Sequence, residues 1–330
     1  MDFGVILTNS LTALLNAEAL YLALAALGLN IHFGYTGLLN FGQVGFLTVA
    51  AYGLGVGVTY LGLPFFGAIL LGLGLAVLLA LLLGIPTLRL RADYLAIVTI
   101  ASSEVLRLIA RSASLRDVTG GSAGITGFAR GFYSLNPLPE GRYGIGPVDY
   151  NENRAWLLLV GWSLVVLASL LVFMLMRSPW GRVLKAIRED EDAVRSLGKN
   201  VIGYKMQSLV LGGLFGALGG FVFALANSSI QPDNYSTLLT FFAFTAMILG
   251  GAGRILGPVI GAILFSSFFT FLENTLVQAV RADLIPTSLM DSNQVGIVRF
   301  ILVGVLLMAL MIFRPQGIFG DKKELALDAR

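Results

Sequence analysis

The chain has 330 residues, of which 56% are hydrophobic and only 12% are charged, and its mean hydropathy is +0.83. Soluble domains carry about 25% charged residues, so this chain has too little polar surface to cover a water-facing globule. The net charge of +3 does not indicate nucleic-acid binding, because no basic patch is interleaved with aromatic residues. The chain has no cysteine and only one histidine, so it offers few of the residues that metal sites and Ser-His-Asp triads require. We therefore expect no catalytic site, no metal and no cofactor.

Apolar stretches recur along the whole chain, and a bilayer core needs about 20 apolar residues per helix. The sequence predicts an all-α, polytopic transmembrane bundle in a single domain, 1–330. Nine spans are predicted, at 12–33, 42–60, 64–84, 93–111, 155–176, 203–226, 239–252, 256–276 and 295–313. The stretch 239–252 is short and ends in glycines, so a broken or re-entrant helix is an open alternative there. No cleavable signal peptide is apparent, because the first basic residue is Arg89.

Three polar regions separate or follow these spans. The region 112–154 is glycine-rich and of mixed charge, whereas 177–205 and the tail 314–330 are rich in Lys and Arg. Since Lys and Arg collect in cytoplasmic loops, the sequence places 177–205 and the C-terminal tail in the cytoplasm. Counting spans backward then predicts that 112–154 and the N-terminus lie outside.

The region 177–205 contains the pattern of a short amphipathic helix. Ser178 before Pro179 is a typical helix start, and Gly198 is a suitable C-terminal cap. The intervening apolar residues have roughly helical spacing among charged neighbours; they are Val183, Leu184, Ile187, Val194 and Leu197. This stretch is too charged to cross a bilayer, so we expect it to lie at the cytoplasmic surface.

Glycines recur at four-residue spacing in three spans, at 53 and 57, at 212, 216 and 220, and at 253, 257 and 261. Small residues at that spacing let helices approach closely in lipid. Packing within the chain is one interpretation, and a moving or subunit-contacting face is the other.

Polar residues inside the predicted spans are candidates for a translocation pathway, because burying them in lipid is costly. Asn40 and Gln43 open the second span, and Glu104 lies within the fourth. Arg107 is three residues after Glu104, close enough on a helix to pair with it, so a structural ion pair is the alternative. His32, with no carboxylate nearby in sequence, fits a hydrogen-bonded structural role better than a proton relay.

Six motifs in order resemble the branched-chain amino-acid permease family of ATP-binding-cassette (ABC) importers, and within it the LivM-like branch. They are Gly37–Phe46, Leu88–Thr99, Thr119–Ile125, Ser178–Glu189, Leu249–Ala262 and Arg314–Gly317. Ala92 and Leu95 stand where the family usually has Gly and Phe. The run from Asp192 to Gly198 is similar to the acidic-Ala-Ala-x-x-x-Gly loop of importer permeases.

The resemblance implies a helix that docks into a groove of an ATPase subunit. The residues it implies for that surface are Arg182, Lys185, Arg188, Glu189, Asp192, Ala193 and Gly198. It also implies a bacterial inner-membrane complex with a paralogous LivH-like permease, two ABC ATPase subunits and an extracytoplasmic substrate-binding protein. The chain has no phosphate-binding loop of the Gly-x-x-x-x-Gly-Lys-Ser/Thr type, so we expect it not to be an enzyme and ATP hydrolysis to occur in partners.

Three alternatives stay open at this point. A member of the same family could import urea or short amides, because the binding protein selects the solute. An ion-coupled secondary transporter would require paired acidic residues or a proton relay at the membrane midplane. A membrane scaffold would have no pathway at all.

Overall fold

The computed structural model describes residues 3–88, 92–145, 148–282, 294–313 and 316–320. These residues form a bundle of helices, which confirms the predicted all-α architecture. In chain order the helices are α1 Phe3–Ala13, α2 Ala17–Leu29, α3 Gln43–Thr59, α4 Phe65–Thr87, α5 Ala92–Arg111, α6 Arg116–Thr119, α7 Arg130–Tyr133, α8 Glu152–Arg177, α9 Pro179–Glu189, α10 Glu191–Ser196, α11 Val201–Asn227, α12 Thr237–Gly250, α13 Gly257–Arg281 and α14 Val295–Phe313. Of the predicted tail 314–330, only 316–320 lies within the described residues.

Helix α8 separates two polar ends of the bundle. Its 26 residues extend over about 39 Å. At its start lies the hairpin end, which comprises 112–151 and 228–236. At its finish lies the basic end, 178–200, which contains α9 and α10.

The strands of the described residues all lie at the hairpin end. β1 (Ile125–Thr126) pairs with β4 (Ser229–Ile230), and β2 (Arg142–Ile145) pairs with β3 (Val148–Asn151), both antiparallel. The first pair joins two connections that are far apart in sequence.

Eight of the nine predicted spans each coincide with one helix, and the exception is the first, 12–33. Five helices are long and apolar enough to cross a membrane: α2 with its continuation to Tyr35, α4, α8, α11 and α13. Helices α3 and α12 are apolar but shorter. Outward-facing apolar side chains support a lipid-facing surface, since Leu70, Ile97 and Val166 are each more than 60% exposed. The protein is therefore a multi-pass membrane protein.

The N-terminal region differs from the single span predicted at 12–33. Residues 3–13 form a separate helix, and α2 begins only at Ala17. The reason is Asn16, whose side-chain oxygen accepts a hydrogen bond from Ala19 N at 3.0 Å and caps a new helix. Helix α2 then continues as a π-helix over Asn30–Tyr35.

Helices α2 and α11 form the centre of the bundle. Ten of the thirteen residues of α2 are buried, and α11 packs along it. The predicted glycine stripes serve packing within the chain, at this centre and between α3 and α4. A Cβ atom at Gly216 would lie 2.7 Å from Gln43 Nε2, and one at Gly53 would lie 2.6 Å from Gly72 Cα.

The predicted single surface helix ending at Gly198 is two helices. Asp190 adopts an extended conformation between them, with φ −155° and ψ 102°. Its carboxylate accepts hydrogen bonds from Asp192 N at 3.0 Å and Ala193 N at 2.9 Å. Asp190 is extended and caps the following helix, so it ends α9 and starts α10.

Candidate functional site

A network of neutral side chains is buried where α2, α3 and α11 meet. His32, Asn40 and Gln43 are each 0% exposed. Asn40 Nδ2 donates to His32 Nδ1 at 3.1 Å and to Gln43 Oε1 at 3.0 Å. Gln43 Nε2 in turn donates to Gly212 O at 3.0 Å. His32 Nε2 lies 3.1 Å from Leu209 O, a carbonyl that can only accept, so the histidine carries its proton on Nε2 and accepts at Nδ1.

A second group of hydrogen bonds joins the π-helix to the glycine-rich turn before α13. Asn30 Nδ2 donates to Arg254 O at 2.8 Å, and Asn30 Oδ1 accepts from Gly253 N at 2.8 Å. Thr36 Oγ1 lies 2.7 Å from Ser208 Oγ on α11. The π-helix is therefore tied both to the 251–256 turn and to α11.

Two of the predicted pathway residues, Asn40 and Gln43, belong to the first network. Their side-chain donors and acceptors are occupied by protein groups, and no acidic side chain takes part in the hydrogen bonds described above. In this conformation both side chains hold helices together instead of lining an open passage.

The third predicted pathway residue, Glu104, lies in an ion-pair cluster close to the hairpin end. The Arg107 guanidinium donates two hydrogen bonds to the Glu104 carboxylate, from Nε to Oε2 at 3.0 Å and from Nη2 to Oε1 at 2.5 Å. Arg107 Nη1 also donates to Asp233 at 2.9 Å, and Arg111 lies 3.3 Å from the same carboxylate. The Glu104 side chain is 41% exposed. This cluster connects α5 to the segment before α12, and Glu104 is not part of the central network.

A polar cavity of about 650 Å³ opens at the hairpin end, between the starts of α2 and α8 and the end of α11. Glu18, Asn16 and Tyr21 line it from α2, and Arg154 lines it from α8. Glu18 is not among the predicted site residues. It could have been identified as the one carboxylate within the predicted span 12–33.

The two surface helices present most of the predicted coupling residues to solvent. Arg182, Glu189, Asp192 and Ala193 are exposed. Beyond them, Leu197 ends α10 with 79% of its surface exposed, an apolar side chain on a charged surface. The sequence groups Leu197 with the apolar residues of helical spacing, but it is not buried with Leu184, Ile187 and Val194, because α10 is a separate helix.

Two other predicted coupling residues are also exposed, but their side chains contact the bundle. Arg188 Nη1 donates to Gly34 O of the π-helix at 2.5 Å. Lys185 Nζ lies 5.7 Å from the centre of the Tyr35 ring. Helix α10 is tied down independently, because Lys205 of α11 forms an ion pair with Glu191.

Gly198 forms the turn after α10. Its φ is +76°, and a Cβ atom there would meet no heavy atom within 4 Å. Gly198 N donates to Arg195 O at 3.0 Å. Space is available for a side chain, but the left-handed backbone favours glycine.

Comparison with known proteins identifies the family. Residues 11–313 match the model described as branched-chain amino acid transport system, permease component. The chain is 30% identical over 303 residues to the high-affinity branched-chain amino acid transport system permease protein LivM of Escherichia coli (strain K12), covering 88% of this chain and 66% of that protein.

Two further relatives are also permease proteins of import or transport systems. The probable branched-chain amino acid transport permease protein LivM of Methanocaldococcus jannaschii is 27% identical, covering 91% of this chain and 90% of that protein. The autoinducer 2 import system permease protein LsrC of Escherichia coli (strain K12 / DH10B) is 29% identical over 40% of each chain. The chain therefore belongs to the permease-component family of branched-chain amino acid transport systems.

Proposed function

We propose that this chain is the membrane-spanning permease subunit of an ABC importer for branched-chain or related amino acids. Membership of the permease family, with LivM proteins among its relatives, supports this proposal. The observation that carries it is the pair α9–α10, a charged surface element between two long apolar helices. In this proposal ATP hydrolysis, solute capture and the second half of the pathway belong to two ATPase subunits, a binding protein and a LivH-like permease.

The orientation follows from the distribution of Lys and Arg. We place the basic end and the tail 314–330 in the cytoplasm and the hairpin end outside a bacterial inner membrane. The ATPase subunits would then approach α9–α10, and the binding protein would approach the region 112–154.

The coupling surface in this proposal consists of Arg182, Glu189, Asp192, Ala193 and the turn at Gly198. We add Leu197, because a largely exposed leucine beside charged residues fits a docking surface with an apolar contact at its centre. A partner groove that covers this side chain would remove it from water.

In this proposal, movement of α9 is passed into the helix bundle through Arg188. Its guanidinium holds the carbonyl of Gly34, so a displacement of α9 would pull directly on the π-helix. Four residues earlier in that helix, Asn30 holds the 251–256 turn. If nucleotide binding in the ATPase subunits changes the contacts of α9, the positions of α2 and α13 change together. Such a change would shift the equilibrium between inward-open and outward-open states of the permease.

The cavity at the hairpin end is our candidate for the outer mouth of the pathway. Its volume of about 650 Å³ lies within the range of about 300–1,000 Å³ for small-molecule pockets. Glu18 and Arg154 on its wall supply opposite charges for the ammonium and carboxylate groups of an amino acid. This pairing favours a zwitterion over urea or a neutral amide.

The ion-coupled alternative finds less support. The central network of His32, Asn40 and Gln43 is neutral and internally satisfied, which does not supply a proton relay. Glu104 is engaged by Arg107 near the hairpin end.

Co-purification tests the importer proposal. The tagged full chain, expressed with a cognate ABC ATPase subunit, should retain that subunit through purification. Leu197→Asp should reduce the recovered ATPase at least severalfold, whereas Arg142→Gln, at the hairpin end, should leave it unchanged. Equal recovery with Leu197→Asp, or no recovery with the unaltered chain, would count against the proposed coupling surface.

A further inference from the structure

A second cavity, of about 810 Å³, lies at the basic end, where the last turns of α8 meet the start of α13. It is distinct from the polar cavity at the hairpin end and from the exposed coupling surface. Its lining combines three basic residues, Arg177, Lys185 and Arg254, with a mostly apolar wall. No aspartate or glutamate is among the described residues that line it.

The cations are held beside aromatic rings. Arg177 Cζ lies 4.1 Å from the centre of the Phe173 ring, and Lys185 Nζ lies 5.7 Å from that of Tyr35. Such contacts position a cation without neutralising it. The backbone at Arg254 is fixed separately, because its carbonyl accepts from Asn30. The cavity therefore has a positive side whose position is set by the fold.

The apolar wall reaches the outer surface of the bundle. Leu170, Leu256 and Phe319 line the cavity and are 49%, 59% and 49% exposed. Val166, one helical turn before Leu170 on the same face of α8, is 63% exposed. The face of α8 that leaves the cavity is thus apolar and exposed over the turn from Leu170 to Val166.

We propose that this cavity binds one anionic phospholipid. Arg177 and Lys185 would hold the phosphate group through charge-assisted hydrogen bonds, and an acyl chain would lie along Leu170 and Val166. Positive charge at the edge of an apolar, bilayer-facing groove matches the chemistry of an anionic lipid at a membrane surface. A soluble anion would leave the apolar wall exposed. A neutral lipid would leave Arg177 and Lys185 uncompensated, because neither forms an ion pair among the described residues.

This inference concerns a ligand that the transport proposal does not require. It rests on the multi-pass membrane character of the chain and stands whether or not an ATPase docks on α9–α10. A protein partner that fills the cavity is the competing occupant, and the test must distinguish it from lipid.

Native mass spectrometry of the purified full chain can measure lipid binding directly. Phosphatidylglycerol and phosphatidylcholine with the same acyl chains serve as probes. The unaltered chain should bind one phosphatidylglycerol roughly 25-fold more tightly than phosphatidylcholine, because each of the two basic residues contributes about a fivefold gain near an anionic headgroup. Arg177→Gln combined with Lys185→Gln should abolish this preference. Arg182→Gln combined with Lys199→Gln, which removes the same charge at the same end but outside the cavity, should retain it.

Several results would overturn the proposal. They are equal binding of both lipids, equal loss in both double variants, displacement of the lipid when an ATPase subunit binds, and equally tight binding of glycerol phosphate alone. If the double variant does not fold, Lys185→Gln alone provides the comparison, because this side chain is exposed and forms no ion pair among the described residues. That single variant should still lower the preference about fivefold.

Discussion

At the scale of single residues, the buried polar side chains between the π-helix and the start of α3 hydrogen-bond to each other and to the backbone of α11. Asn40 donates to His32 and Gln43 and accepts from Gly42 N at 3.0 Å. A sequence reveals that these residues are polar and lie in apolar surroundings. It does not reveal that they satisfy each other, because the partners at Leu209 and Gly212 come from a helix about 170 positions away.

Asn40→Leu should destabilise the protein even without any solute present. The change leaves His32 Nδ1, Gln43 Oε1 and Gly42 N–H without their partner, and each buried unsatisfied group costs about 1–3 kcal/mol. Thermal denaturation in detergent should show a clear drop in melting temperature. Thr48→Val is the control, because within the described part of the chain the Thr48 hydroxyl bonds only the carbonyl of Val44 in its own helix. Normal stability combined with lost uptake would instead assign Asn40 to the pathway.

Arg188→Gln should weaken transmission without preventing ATPase binding. The lost hydrogen bond to Gly34 O is charge-assisted, and such bonds contribute about 1.5–3 kcal/mol. In reconstituted vesicles the amount of solute taken up per ATP hydrolysed should fall roughly tenfold. Arg195→Gln serves as the matched change, because Arg195 pairs only with Glu191 and Asp192 of its own helix among the described residues. An unchanged ratio for Arg188→Gln would remove this contact from the coupling path.

At the scale of elements, α12 and α13 form a tightly packed antiparallel pair around glycine. A Cβ atom on Gly261 would lie 2.7 Å from Gly250 N and would clash with Ala246 O. The short length of α12, 14 residues, follows from the turn at 251–256 that returns the chain so soon. Sequence reasoning identified both the shortness and the glycines, but not that the turn is held by Asn30.

Gly261→Ala should push α12 away from α13. Overpacking a close contact costs about 1–3 kcal/mol, so the variant should melt at a lower temperature and express less well. Gly74→Ala in α4 is the control, because a Cβ atom there meets nothing within 4 Å and alanine favours a helix. Equal stability of the two variants would show that the helices separate easily.

The turn after α10 permits a separate test of the coupling element. Gly198→Val should reduce uptake per ATP hydrolysed, because a non-glycine residue in the left-handed region costs about 1–2 kcal/mol and valine tolerates it poorly. Gly198→Asn should be close to normal, since asparagine adopts this conformation more readily. The open space around Gly198 excludes a steric clash as the cause. Wild-type coupling by Gly198→Val would contradict the role of this turn.

At the scale of the whole molecule, the positions of the long apolar helices follow well from the sequence, whereas the separate helix α1 and the division of the surface helix do not. Length and hydropathy determine where the long spans lie, since bilayer thickness imposes them. Capping residues were the weak point, because Asn16 starts a helix inside an apolar run and Asp190 divides an amphipathic one. The polar cavity at Glu18 was missed for a different reason: its walls come from α2, α8 and α11, and their meeting is a property of the fold.

The central claim is that the chain moves amino acids only as part of an ATP-driven complex. The most direct measurement is uptake of radiolabelled leucine into vesicles that contain this chain, the proposed LivH-like permease and the proposed ATPase subunits, with the binding protein outside. We predict accumulation that requires ATP and the binding protein and that unlabelled isoleucine or valine suppresses. Accumulation driven by an ion gradient without ATP, or uptake of urea in place of leucine, would contradict the account.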